Sequence, residues 1–204
     1  PSVWLALCIG SLNAAKTAPQ MPLTDTPLSA RTVLDGDRHA FSQLVRAHQS
    51  SVRGLLRSLV GGDVALADDL AQETFLRAWQ GLRRFQGASQ FSTWLYRIAW
   101  NAFLSDARCK RHRLSAPEHE TPPSEDYAAS AAIDAVVTRA DVERAMHHLR
   151  PEERAAIALT FGQELTHEEA AEVLACPLGT LKTHVLRGKT RLKEYLRHEG
   201  ARLS

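Results

Sequence analysis

Apolar positions recur every three to four residues from about Asp37 onward, and no segment alternates at period two, so the pattern predicts helices and no strands. Ala40, Phe41, Leu44, Val45 and His48 share one face, which Val52, Leu55, Leu56 and Leu59 continue. Gly61 and Gly62 stop that helix, and Asp63 is placed to N-cap the next. There Ala67, Leu70, Ala71, Phe75, Ala78 and Leu82 line the side expected to be buried. Asp68, Asp69, Gln72, Glu73, Leu76 and Gln80 fall on or near the other side. Residues 86–90 read as a turn. The helix predicted over 91–113 has two apolar stripes rather than one. Phe91, Trp94, Leu95, Ile98, Ala102 and Ser105 form the first; Tyr96, Trp100 and Phe103 form a second, where a simple surface helix carries charge.

The periodicity lapses between residues 115 and 130, where Pro117, Pro122, Pro123, serines and acids make a linker. It resumes near Ala131 and runs through Ile133, Val136, Val137, Val142, Met146 and Leu149 to a break at Arg150-Pro151. Pro151 suits the first turn of a helix, with Glu152 and Glu153 favourable beside it. Ala155, Ala156, Leu159 and Thr160 continue that helix, and Gly162 ends it. Thr166 and Glu169 form a capping box ahead of Ala170, Ala171, Val173 and Leu174. A tight turn over 176–179 leads into a last helix over 178–197, packed through Leu181, Val185, Gly188, Leu192 and Leu196. Short capped helix, tight turn and longer basic helix together describe a helix-turn-helix. The expected fold is therefore all-α: two small helical domains joined by a flexible acidic linker, the second containing the helix-turn-helix. The divisions fall at 1–30, an N-terminal extension expected to be disordered or non-native; 31–113, the first domain; 114–132, the linker; and 133–204, the second domain.

Composition changes this picture in a few places. A length of 204 residues suits one or two small domains. The net charge is only +2, so any nucleic-acid role has to come from local patches. One patch is Lys182, Arg187, Lys189, Arg191, Lys193 and Arg197, opposed within its segment by Glu194 alone. Another is Arg108, Lys110, Arg111, His112 and Arg113, directly after the aromatic helix. Cys8, Cys109 and Cys176 match no zinc-ligand or CxxC spacing, as expected of a reducing, cytoplasmic compartment. Val3 to Ile9 is too short an apolar run to span a bilayer. His167-Glu168 matches the first half of a zinc-protease motif, but Ala171 stands where the second histidine belongs. Phosphate-binding loops, dinucleotide fingerprints and nucleophile elbows are missing as well, so no enzyme, metal or cofactor is expected.

Two stretches carry candidate chemistry. The outward face of the last helix presents Thr180, Lys182, Thr183, Leu186, Arg187 and Arg191, residue types that read base edges and hold phosphates. The aromatic helix and its basic end offer rings to stack on bases, at about 1–3 kcal/mol each, and cations for phosphates. Periodicity alone equally allows that helix to be wholly buried with a solvated basic end.

In this order the stretches resemble a bacterial extracytoplasmic-function sigma factor of the sigma-70 superfamily, over roughly residues 30–200. ADDLAQETFLRAW, from Ala67, is similar to that family's polymerase-binding helix; FSTWLYRIAWN, from Phe91, to its promoter-melting helix; and LTHEEAAEVLACPLGTLKTHVLRGKTRLKEYL, from Leu165, to its −35-reading helix-turn-helix. The first twenty-odd residues have no counterpart. The resemblance implies an initiation factor that binds core RNA polymerase, through the β′ clamp helices and the β subunit, reads the −35 duplex and captures the melted −10 strand. It implies clamp contacts at Asp69, Gln72 and Glu73. It implies −10 strand contacts at Gln90, Phe91, Trp94, Asn101, Arg108, Lys110 and Arg111, and −35 contacts at Thr180, Lys182, Thr183, Leu186 and Arg187. It also implies promoter DNA and an anti-sigma factor as partners, with no direct membrane insertion. The alternative is a helix-turn-helix regulator with an N-terminal sensor domain, which needs neither the outward acidic face at 69–73 nor the aromatic-basic helix.

Overall fold

The computed structural model describes residues 38–85, 89–114 and 139–202, with the side chains of 111–114, 139–140 and 199–202 excepted. The N-terminal extension, residues 86–88 of the turn, most of the acidic linker and the expected helix start near Ala131 lie outside the described residues.

Helix α1, Arg38–Leu59, buries Ala40, Leu44, His48, Val52, Leu55, Leu56 and Leu59, the stripe expected from spacing. It stops because Gly61 and Gly62 adopt φ of +72° and +84°, which residues with a Cβ rarely reach. Asp63 then accepts a hydrogen bond from the Leu66 N–H at 3.0 Å and caps α2, Val64–Gly81. Helix α2 buries Ala67, Leu70, Ala71, Thr74 and Ala78. The buried position expected for Phe75 belongs instead to Thr74, whose hydroxyl donates to the Leu70 carbonyl at 2.7 Å; Phe75 is half-buried. A single 3₁₀ turn, Leu82–Arg84, leads on to α3, Phe91–Leu114. The three helices pack mutually, with the ring of Phe41 on that of Trp79 at 4.9 Å between α1 and α2.

The second half comprises α4, Arg139–His147, and α5, Pro151–Ile157, which runs on as a π-helical turn, Ala158–Gly162. Helices α6, His167–Leu174, and α7, Leu178–Arg202, complete it. Helix α7 lies across α4, α5 and α6. Its close approach to α5 depends on Gly188, where a Cβ would come within 2.9 Å of Ile157. The two halves also touch. Helix α6 packs on α3, α5 and its π turn pack on α1, and one continuous cluster of buried residues runs through both halves. Each fully buried leucine in it, such as Leu44, Leu56, Leu95 or Leu159, contributes about 1.5–3 kcal/mol relative to exposure.

Candidate nucleic-acid interface

The helix-turn-helix is built from local chemistry. The Thr166 hydroxyl accepts from the Glu169 N–H at 3.2 Å, while the Glu169 carboxylate accepts from the Thr166 N–H at 2.8 Å. These bonds satisfy donors that the helix start would otherwise orphan. Helix α6 ends at Ala175, held left-handed at φ +51°, and Pro177 leads into α7. Leu181 and Val185 are buried and hold α7 against its neighbours. Thr180, Lys182, Thr183, Leu186 and Arg187 are all exposed, Leu186 to 67%. Thr183 donates to the Gly179 carbonyl at 2.9 Å, which leaves its oxygen free to accept. Arg191, expected on this outward face, turns inward. Its guanidinium meets Glu153 at 2.5 Å, and Glu153 is 1% exposed.

Glu153 was readable in the sequence only as a favourable first-turn acid. In the fold its carboxylate accepts the Arg150 N–H at 3.2 Å as well as the Arg191 guanidinium, closing the start of α5 onto the middle of α7. Nothing local in the sequence pairs positions 38 residues apart.

On α2, Asp69 and Gln72 are exposed, and Glu73 is half-buried beside Arg77 at 2.8 Å. Leu76 is 53% exposed on the same helix, and Asp68 pairs with Arg53 on α1 at 3.1 Å. This face is available to a partner carrying basic side chains.

The start of α3 holds an aromatic nest. Trp94 packs on Phe85 at 5.0 Å and on Phe91 at 5.5 Å, and Phe91 packs on His48 at 5.4 Å. Phe91 is 5% exposed, whereas Gln90 and Trp94 are half-buried and Asn101 is exposed two turns further on. Arg108 and Lys110 are exposed near the end of α3, Lys110 within 3.1 Å of Asp106; the side chain of Arg111 lies outside the described ones. The second stripe is the main departure from an exposed stacking surface. Tyr96 and Trp100 are each 5% exposed, because α6 of the other half lies against α3. Phe103 remains half-buried, with its ring stacked on Trp100 at 5.5 Å. Among the described residues, no group of three or more His, Cys, Asp or Glu side chains is placed to hold a metal ion.

Two family models match the two halves of the chain. Residues 44–113 match the model of sigma-70 region 2, and residues 139–192 match that of sigma-70 region 4. The chain is 31% identical over 182 residues to the ECF RNA polymerase sigma-E factor of Haemophilus influenzae, covering 84% of this chain and 94% of that protein. The chain belongs to the extracytoplasmic-function sigma factors. It is also similar to the RNA polymerase sigma-H factor of Pseudomonas aeruginosa, at 30% identity over 79% of this chain and 88% of that one. Among solved structures, the sigma factor RpoE of Bartonella quintana, in complex with the anti-sigma factor NepR, superposes with a TM-score of 0.66 at 28% identity. That match covers 77% of this chain and 96% of the other. The fold is shared too with CnrH, solved with the cytosolic domain of CnrY, at a TM-score of 0.62 and 24% identity over 86% of this chain and 98% of that one. As a sigma factor, the protein directs RNA polymerase to initiate transcription at specific promoters. Of the described helices, none is long and apolar enough to cross a membrane.

Proposed function

We propose that three surfaces of this sigma factor divide the work of initiation. The outward face of α7 reads the −35 duplex. Lys182 and Arg187 meet phosphates or guanine edges, Thr180 and Thr183 bond base edges, and Leu186 packs on a thymine methyl group. The observation that carries this reading is the simultaneous exposure of all five side chains along the start of α7, behind a short capped helix. At the start of α3, Gln90, Trp94 and Asn101 take an unpaired base of the −10 strand, with Phe91 as the buried wall behind them. Arg108, Lys110 and Arg111 hold the adjoining backbone. Extruding a base costs a few kcal/mol, which stacking on an aromatic ring and a polar reader can recover. Asp69, Gln72 and Glu73 on α2 grip the clamp helices of the polymerase β′ subunit, and the second domain contacts the β subunit. The protein works by binding alone, in the cytoplasm. By analogy with the relative held by NepR, an anti-sigma factor is a partner.

The test is promoter selection by run-off transcription with core polymerase, followed by Arg187→Ala and Asn101→Ala variants on the promoter found. Arg187→Ala should cost about 1–3 kcal/mol in promoter recruitment and, if the contact is to phosphate, flatten the salt dependence by about one unit. Asn101→Ala should form closed complexes normally, give fewer permanganate-reactive open complexes and relax base preference at one non-template position. Normal opening with unchanged preference would remove Asn101 from the −10 site.

A further inference from the structure

The aromatic nest at the start of α3 is braced by its neighbours. The benzo edge of Trp94 rests on the end of α2, where a Cβ on Gly81 would come within 3.5 Å of the indole. Phe85, just after the 3₁₀ turn, meets Phe91 edge-on at 5.7 Å and 84°. The last brace is His48 of α1, whose ring stands 5.4 Å from that of Phe91 at 51°. Tilted and edge-on contacts at about 4.5–7 Å are the arrangements that rings prefer, and they fix the plane of a ring as well as its place. Packing alone would not select a histidine here. His48 is 8% exposed, its Nε2 is shielded from solvent, and the rest of the buried stripe of α1 is alanine, leucine and valine. An aliphatic side chain would bury apolar surface without taking ring nitrogens out of water. Thr93, two residues beyond Phe91, repeats the pattern: it is 1% exposed, and its hydroxyl has no hydrogen-bond partner among the described residues. Next to Phe91 the chain thus carries polar side chains at a cost in stability, as expected where a site rather than the core sets the residue.

We propose that His48 is a positioning residue for base capture. From α1 its flat ring holds the plane of Phe91, so the surface on which an unpaired base stacks is formed before the strand arrives. Phe91 packs on Trp94 at 5.5 Å, and Phe85 packs on it at 5.0 Å, so a turn of the Phe91 ring is passed to the indole. A leucine in place of His48 fills the space but leaves Phe91 free to rotate. Binding then has to immobilise two rings that the parent already holds, which weakens it about tenfold. Asn101, exposed further along α3, makes its polar contact in either case. The inference rests on the reading of the start of α3 as the −10 site, and it names the residue that shapes that site from behind.

The test measures binding of the full-length chain, with core polymerase, to a fluorescein-labelled single-stranded oligonucleotide. The oligonucleotide carries the non-template −10 sequence of the promoter found by run-off transcription, intact or with one abasic residue at each position in turn. Parent, His48→Leu and His48→Phe are compared, and urea unfolding checks the stability of each. The parent should lose affinity at one abasic position. His48→Leu should bind the intact strand about tenfold more weakly at undiminished stability, and the gap should close on the strand that is abasic at that position. His48→Phe should restore tight binding, because the flat ring returns. A histidine that only fills the core would weaken all strands alike, in step with lost stability, and that result overturns the proposal. So does a His48→Leu variant that binds as the parent does. Should His48→Leu fail to fold, His48→Asn, which keeps polarity without the ring, decides by the same comparison. A parent indifferent to every abasic position overturns the −10 reading and this proposal with it, whereas failure of the His48 variants alone leaves that reading in place.

Discussion

Two side chains in the second half have consequences larger than their place in the sequence suggests. Glu153 keeps 2% of its side chain exposed and Arg191 keeps 39%, so the pair is buried on one side only. Arg191→Ala strands a buried carboxylate. With Arg191 partly solvated, the expected cost is about 2–3 kcal/mol, below that of breaking a fully buried pair. Urea unfolding should read this loss while DNA affinity per folded molecule stays near the parent's; a weaker promoter complex with unchanged stability would return Arg191 to the DNA face. His147 gives a pH dependence. Burial first, then the Arg154 guanidinium and His148, hold its imidazole below the usual 6.5, against an opposing pull from Glu143. The unfolded chain then binds the proton more readily, so this contribution to stability is present above about 6.5 and is lost as pH falls through the lowered folded value. Thermal melts of parent and His147→Asn should diverge in slope across that window, the variant being the flatter.

At the scale of the element, the caps were legible and the burial of α3 was not. Asp63 and Thr166 act within three residues of themselves, so their roles follow from spacing alone. Thr166→Ala should therefore cost about 1 kcal/mol by chemical denaturation, with α6 fraying at its start. The two glycines that end α1 were equally readable, because their left-handed backbone is a local requirement. The second stripe of α3 was ambiguous for a physical reason: an apolar face records that something covers it, not whether the cover is a base or another helix. Tyr96 and Gln163 lie 67 positions apart, and no periodicity links them. The outward face of α2 was read correctly in outline, since Asp69 and Gln72 are exposed, while Thr74 took the buried place expected for Phe75.

At the scale of the whole molecule, two helical units share one continuous cluster of buried residues and are tied across their seam by a few polar bonds. The outward face of α2, with Asp69 and Gln72, and the start of α7 both stay exposed in this arrangement, whereas the aromatic face of α3 with Tyr96 and Trp100 does not. Binding to core should therefore depend on α2 without depending on stability. Asp69→Ala, Gln72→Ala and Glu73→Ala combined should weaken the complex with core polymerase and leave helicity unchanged, whereas Leu70→Ala should destabilise the first domain by about 2–5 kcal/mol through the cavity it leaves. The most direct measurement is run-off transcription by core polymerase with and without the chain, using parent and the triple α2 variant on the same promoter. The expected result is promoter-specific transcripts with the parent and few with the variant, restored when the variant is added in excess. Transcripts that appear equally with both proteins, or a parent that binds duplex DNA by itself and never redirects polymerase, would contradict it.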